Sequence, residues 1–224
     1  MKSRTSQVAP IEGLFFRDFR NSHLPEIFDE IYIKQVYHPF VAGRTDMIIA
    51  DWGANQGMTS FFFKNYAKKV FAVEPSQQHQ EVIEKMIEYN KITNIKVCKY
   101  AVSNENGTTR FYHNENTTMF SLTDVVNNKD DFEEVETLTV DKFFEREGID
   151  HLDLLKLDVE GFESRVVLSD GFKKVKDRIK VIVGEWHQWD TQSQGAFMNT
   201  FRDLGFEFRW IPGTVASVFT AVKL

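Results

Sequence analysis

The chain has a single cysteine, Cys98, so no disulfide can form within it, and that residue sits in an apolar, strand-like pattern that reads as a buried, inert thiol. A reducing, cytoplasmic setting is expected from this. No apolar run approaches the roughly 18 residues of a membrane-spanning helix. Lys2, Arg4, Glu12, Arg17, Asp18 and Arg20 interrupt the N-terminal stretch, so neither a span nor a cleaved leader is expected. Basic charge is in deficit: the formal net charge is -6 and the pI is near 5.6, which argues against a broad nucleic-acid-binding face. Lys173, Lys174 and Lys176 read as a solvated helix end. Internal repeats and low-complexity tracts are missing as well. So is a Gly-x-Gly-x-x-Gly run, which disfavours a nicotinamide oxidoreductase, and so is an Asn-Pro-Pro-Tyr-like block that would address a flipped base.

What is present is enough chain, 224 residues, for one α/β domain with a sizeable core and an N-terminal extension. Phenylalanine is abundant at 21 residues, as a bulky core or as aromatic walls of a pocket. Residues 1–45 form the extension, in which Pro25 opens a helix and Ile27, Phe28, Ile31 and Tyr32 recur at helical spacing, as a cap on the domain spanning 46–224. Within the domain, strand and helix alternate. Apolar runs end at Asp51 and Glu74, residues 78–89 are helical, residues 95–102 alternate as a third strand, and residues 152–158 and 179–185 are two more. This is the pattern of a growing parallel sheet. Asp141 is expected to cap a helix through Glu147, and a helix covers about 192–204. Two β stretches, 206–211 and 215–222, turn around Pro212 and Gly213 and should finish the sheet with an antiparallel strand.

Asp51-Trp-Gly-Ala-Asn-Gln-Gly joins the first strand to the next helix. Gly53 and Gly57 permit positive φ and close backbone approach, and Asn55 is one of the few other residues that tolerate left-handed geometry, so the turn can be tight without a third glycine. Glu74 follows about twenty positions later, the spacing at which a carboxylate meets ribose hydroxyls. Ligands of open α/β sheets bind beyond the carboxyl ends of the strands. Here those ends carry Asp51, Glu74, Ala101, Asp158 and Glu185 with His187. Such acidity suits a cofactor with a sulfonium, an ammonium and a ribose, S-adenosylmethionine, better than a pyrophosphate-bearing dinucleotide.

The blocks Asp51-Trp-Gly-Ala-Asn-Gln-Gly, Val73-Glu-Pro, Ala101-Val-Ser-Asn and, most specifically, Lys156-Leu-Asp-Val-Glu-Gly-Phe-Glu resemble the FkbM family of S-adenosylmethionine-dependent methyltransferases, from about residue 31 to 185. The resemblance implies a Rossmann-like class I methyltransferase fold with a mostly parallel seven-stranded sheet, and O-methylation of sugars and natural products. It further implies that residues 51–57, with Asp51, Gly53, Asn55 and Gly57, hold the methionine part, that Glu74 holds the ribose, and that Ala101 and Val102 meet the adenine through backbone groups, since no carboxylate ends the third strand.

A sugar hydroxyl is a poor nucleophile at neutral pH and needs a general base or a metal. His187 is the candidate base, with Asp158 and Glu160 beside it; Asp158 also counts among the cofactor contacts. Both carboxylates can equally cap the helix near Gly161, and Glu163 reads equally as a functional group or as a structural partner in that turn. Trp186 and Trp189 either stack on a sugar face or pack. Asp158, Glu185 and His187 form a donor set suited to Mg or Mn, but their spacing is not diagnostic and the expected reaction is metal-free. The expected partner is a saccharide or related small-molecule acceptor, with no nucleic acid. The aromatic cap suits a second subunit as well as its own domain, so a homo-oligomer is compatible with the sequence. The rival readings are a catalytically silent S-adenosylmethionine-binding module and, less favoured, an NAD-dependent oxidoreductase. Residues 1–45, 114–131 and 186–189 would choose the acceptor.

Overall fold

Strands buried on both faces need apolar residues at every position, and the first strand, β1 (Met47–Trp52), has them except at Asp51. Its side chains divide between two cores: Met47 and Ile49 join one, Ala50 and Trp52 the other. The computed structural model describes residues 24–112, 131–187, 190–211 and 217–224. In chain order the remaining strands are β2 (Ala67–Val73), β3 (Ile95–Cys98), β4 (Ala101–Ser103), β5 (Gly107–Tyr112), β6 (Phe132–Thr139), β7 (Leu152–Leu157), β8 (Ile179–Trp186), β9 (Phe206–Trp210) and β10 (Ser217–Lys223). Seven of them form one sheet in the order β3-β2-β1-β7-β8-β10-β9, and β4-β6-β5 form a second. The pairs β1 with β2, β1 with β7, β2 with β3 and β7 with β8 are parallel, whereas β10 runs antiparallel to both neighbours.

The helices are α1 (Leu24–Phe28), α2 (His38–Val41), α3 (Met58–Phe63), α4 (Gln77–Tyr89), α5 (Val140–Glu147), α6 (Glu163–Leu168), α7 (Asp170–Val175) and α8 (Gln194–Asp203). One core unites β1 and β2 side chains with Phe61, Phe62 and Phe63 of α3 and with Ile31, Tyr37 and Val41, so residues 24–45 share the interior of the domain. The other holds Phe197, Phe201, Phe206, Phe208 and Phe219, of which Phe197 meets Phe201 and Phe219 edge-on at 5.1 Å between centroids. Much of the phenylalanine is therefore core. No helix among the described residues is long and apolar enough to cross a membrane.

Four expectations are corrected. The third strand stops at Cys98 instead of running to Val102: Tyr100 is buried and its hydroxyl donates to Glu147 Oε1 at 2.9 Å, which turns the chain so that Ala101 and Val102 join the second sheet. The N-terminal helix gives way after Phe28 to a π-helical turn, Asp29–Ile33, with Lys34 N donating to Asp29 O at 2.8 Å. The residue capping α5 is Thr139; Asp141 lies inside the helix and accepts from the Thr139 hydroxyl at 2.6 Å and from Lys174 at 2.7 Å. The final hairpin strands are shifted to 206–210 and 217–223, and the turn at Pro212 and Gly213 lies outside the described residues.

A buried carboxylate locks the start of the sheet. Asp153 on β7 accepts from Ile48 N at 2.8 Å and from Lys180 Nζ at 2.7 Å. Burial alone would raise its carboxyl, but Lys180, the Ile48 amide and His151 together hold it below the usual carboxylate range. A depressed native value means that the stabilisation is present above about pH 4, the unfolded value, and is lost as pH falls through the native one. Replacing Asp153 by Ala is expected to lower stability at pH 7 by about 1–2 kcal/mol, the cost of a part-buried amide that has lost its acceptor. Urea unfolding at pH 7 and pH 3 checks it: a deficit that fails to narrow in acid contradicts the assignment.

Candidate active site

The turn after β1 is held from both sides. Gly53 N and Ala54 N donate to Val73 O at 3.1 and 3.0 Å, and Gly53 adopts φ +78° with its α-carbon against β7's extension, where a Cβ would lie 1.8 Å from Asp158 O. Asn55 is left-handed at φ 52°, and its side-chain oxygen accepts from Gln56 N at 2.8 Å, the local bond that makes asparagine tolerable there. Gly57, at φ 86°, starts α3. Glu74 is buried and braces the loop: one oxygen accepts from Asn55 N at 2.7 Å, the other from Ser76 N at 2.9 Å. An ionised carboxylate has about four lone-pair sites, so acceptor capacity remains.

Lys156 is the residue that ties the strand ends together. It is buried, and its Nζ donates to Gly53 O at 2.8 Å while lying 3.0 Å from Asp158 Oδ2 and 3.4 Å from Asp51 Oδ1. Burial opposes its charge, but Asp158 and Asp51 more than offset this and hold the ammonium well above its usual range. Asp51 Oδ2 accepts from Ser60 Oγ at 2.6 Å; its carboxyl is raised, chiefly by burial, against the pull of Lys156. For Asp158 the balance runs the other way, because Lys156 and His187 overcome burial and lower it.

The second half of the site is an acidic ring around His187. Its Nδ1 lies 3.0 Å from Glu163 Oε1, and its Nε2 lies 3.4 Å from Glu160 Oε2 and 3.8 Å from Asp158 Oδ1. Burial would lower the imidazole, yet the bond and charge of Glu163, with Asp158 and Glu160, push it up to about 10. Burial and then Asp158 raise Glu160 to about 8 and Glu185 to about 7. Glu160 itself occupies a left-handed turn, φ 54°. Glu163 is fully buried and also accepts from Val159 N at 3.0 Å and Gly161 N at 3.2 Å, which makes it a structural partner in that turn. Glu30, from the π-helical turn, is near enough for Asp158 to raise its carboxyl, after the larger effect of burial.

Asp51, Gly53 and Asp158 thus converge, Asn55 is bound to Glu74, and Asp158, Glu160, Glu185 and His187 form one cluster. Ala101 and Val102 do not end the third strand; the carbonyl beside Glu74 is that of Cys98, which accepts from Glu74 N at 3.1 Å. His187, the expected base, is in the cluster: burial opposes its charge, while Glu163, Asp158 and Glu160 raise its proton affinity. Trp186 packs on the core and donates to Gln192 O at 3.2 Å, while Trp189 and residues 113–130 lie outside the described residues. Lys156 and Glu30 were absent from the expected site. A lysine in Leu154-Leu155-Lys156-Leu157, a strand with both faces buried, is a legible signal, because its charge has no route to water and must be paired inside. Glu30 carries no comparable signal.

The residues fit a polar, cationic adenosyl ligand. Gln56, in the turn, is 2% exposed with both amide atoms lacking a hydrogen-bond partner among the described residues, and Ser76 Oγ beside Glu74 is equally orphaned. Buried polar groups left in this state are donors and acceptors waiting for a ligand or water.

The methyltransferase FkbM domain matches residues 51–208. No curated protein matches the chain. Among solved structures, a methyltransferase from Pyrococcus furiosus superposes with a TM-score of 0.55 at 13% identity, covering 94% of this chain and 89% of that one. A Streptococcus mutans protein assigned as a methyltransferase, in complex with SAH, gives 0.54 at 13% identity over 85% and 97%. The precorrin-6y C5,15-methyltransferase of Geobacter metallireducens gives 0.52 at 14% over 85% and 88%. At these identities the likeness is one of fold, the class I Rossmann-like sheet. With its domain match spanning both halves of the site, the chain belongs to the FkbM family of S-adenosylmethionine-dependent methyltransferases.

Proposed function

We propose that the protein methylates a hydroxyl oxygen of a saccharide or related small metabolite. The observation that carries this reading is the cluster of Asp158, Glu160, Glu185 and His187 beyond the ends of β7 and β8, joined through Lys156 to Asp51 and the turn of residues 51–57. S-adenosylmethionine, when bound, supplies an electrophilic methyl group on a sulfonium. Residues 51–57 hold its methionine part and Glu74 its ribose, with Gln56 adding an amide. On the adenine side the backbone around Cys98 takes the place expected of Ala101 and Val102.

Glu160 takes the hydroxyl proton as the acceptor oxygen attacks, and His187, held at Nδ1 by Glu163, orients that carboxylate and Asp158. Alignment of the acceptor supplies much of the remaining rate. Residues 24–45, which carry Glu30, act as the cap over that acceptor, and the net charge of -6 favours a small neutral or cationic molecule over a nucleic acid in a cytoplasmic setting.

Calorimetric titration with S-adenosylmethionine, S-adenosylhomocysteine and NAD, followed by transfer of a labelled methyl group to a panel of sugars, tests this. Micromolar binding of the two adenosyl compounds with label appearing on a sugar oxygen is the expected result. Binding without transfer to any hydroxyl compound would identify a silent binding module, and label on nitrogen or carbon would overturn O-methylation.

A further inference from the structure

We propose that Asp158, Glu185 and His187 form a site for one divalent cation, of the Mg or Mn class, beyond the ends of β7 and β8. One oxygen of each carboxylate and one ring nitrogen lie within 4.8 Å of one another. Ligands at about 2.1 Å from an octahedral ion are separated by about 3 Å when adjacent and about 4 Å when opposite, so closure by at most about 2 Å completes the set. The backbone already brings two of them together: β7 and β8 are in register with Leu157 opposite Gly184, which makes Asp158 and Glu185 neighbours across the strand ends.

Two further observations distinguish this cluster from a solvated acidic patch. First, His187 is oriented as a ligand is. Glu163 accepts at Nδ1 and is itself fixed by two backbone amides, so Nε2 is the nitrogen turned toward Asp158 and Glu160. Second, Asp158 Oδ1 is shielded from solvent and accepts no hydrogen bond among the described residues, and the fully buried Glu163 likewise has Oε2 without a partner. A buried carboxylate oxygen without a donor is costly, and a cation removes the cost.

The donor set is two hard oxygens and one imidazole with no thiolate, which suits Mg or Mn. Three protein ligands leave about three octahedral positions for water and acceptor oxygens, and an acceptor hydroxyl bound there would ionise more readily.

The full chain is stripped with EDTA, dialysed, and titrated with Mn2+ while the free-ion paramagnetic resonance signal is followed; S-adenosylhomocysteine affinity is measured on the same samples. The expected result is one Mn2+ per chain, competed by Mg2+. Affinity should fall about tenfold or more in Glu185→Gln and in His187→Gln, and about tenfold in Glu163→Gln, which touches the ion only through the imidazole. Two ligand variants and circular dichroism guard against loss through misfolding of one of them. Mn2+ that fails to bind, or that binds the folded variants as well as the parent, overturns the site. Retained S-adenosylhomocysteine binding in that case leaves the cofactor assignment standing, whereas Mn2+ binding without it supports the cation site and sinks the cofactor assignment alone.

Discussion

Lys156→Met is expected to destabilise the protein by about 3–5 kcal/mol at neutral pH and to abolish cofactor binding. Methionine has nearly the same length and fills the same space, so the change isolates charge from packing. What remains is two buried carboxylates, Asp51 and Asp158, that have lost the ammonium 3.4 and 3.0 Å away, and a Gly53 carbonyl that has lost its donor. Removing one partner of a buried ion pair costs this much because the other charge stays behind. The sign with pH follows. In the variant both carboxyls are held above their unfolded values, so the penalty is full at neutral pH, fades as pH falls through the raised native values and is gone below about pH 4, where both are protonated in either state. Urea denaturation across pH, with S-adenosylhomocysteine titration at pH 7.5, checks both parts. A loss under about 1 kcal/mol would mean that water reaches these carboxylates and that Lys156 is not their counter-ion.

Gly53→Ala should be nearly as damaging, for a reason with no electrostatics in it. Its Cβ would lie 1.8 Å from the Asp158 carbonyl oxygen, and the backbone is left-handed at φ +78°. Conformational strain alone costs about 1–2 kcal/mol; the collision must separate the turn from the β7 extension, for a total of about 3–5 kcal/mol, at the upper end of single-residue effects. Gly148→Ala provides the control, because φ is +64° there but nothing lies within 4 Å of the added carbon. Calorimetric melting of the two variants separates strain from collision. If Gly53→Ala melts no lower than Gly148→Ala, the close approach of the turn to Asp158 is absent in solution.

The strands and the carboxylates that end them were readable because each is a local pattern: an apolar run, a polar stop, a glycine. Asn55 is a good case, since its left-handed backbone follows from its own side chain. The break between Cys98 and Ala101 was not readable. Alternation at residues 95–102 says that side chains point to opposite faces, and it continues unchanged when the strand leaves one sheet for another. What decides the exit is Tyr100 reaching Glu147, 47 positions away. The same holds for Glu30, which reaches the acidic ring through a π-helical turn that periodicity cannot distinguish from an α-helix. His187 was found by residue type, but its proton affinity was not readable, because Glu163, Asp158 and Glu160 converge on it only in the fold.

The position of β10 has a consequence for synthesis. A ribosome releases β9 before β10, yet β10 is the strand that bonds β9 to the rest of the sheet. Until residues 217–223 emerge, β8 has an open edge, and Phe197, Phe201 and Phe208 lack Phe219, the ring around which they gather. The nascent protein therefore passes through a stage with a ready pairing edge beside a cluster of uncovered aromatic rings. That stage is where a chaperone would engage it, and where slow translation of the final strand would expose it longest to aggregation.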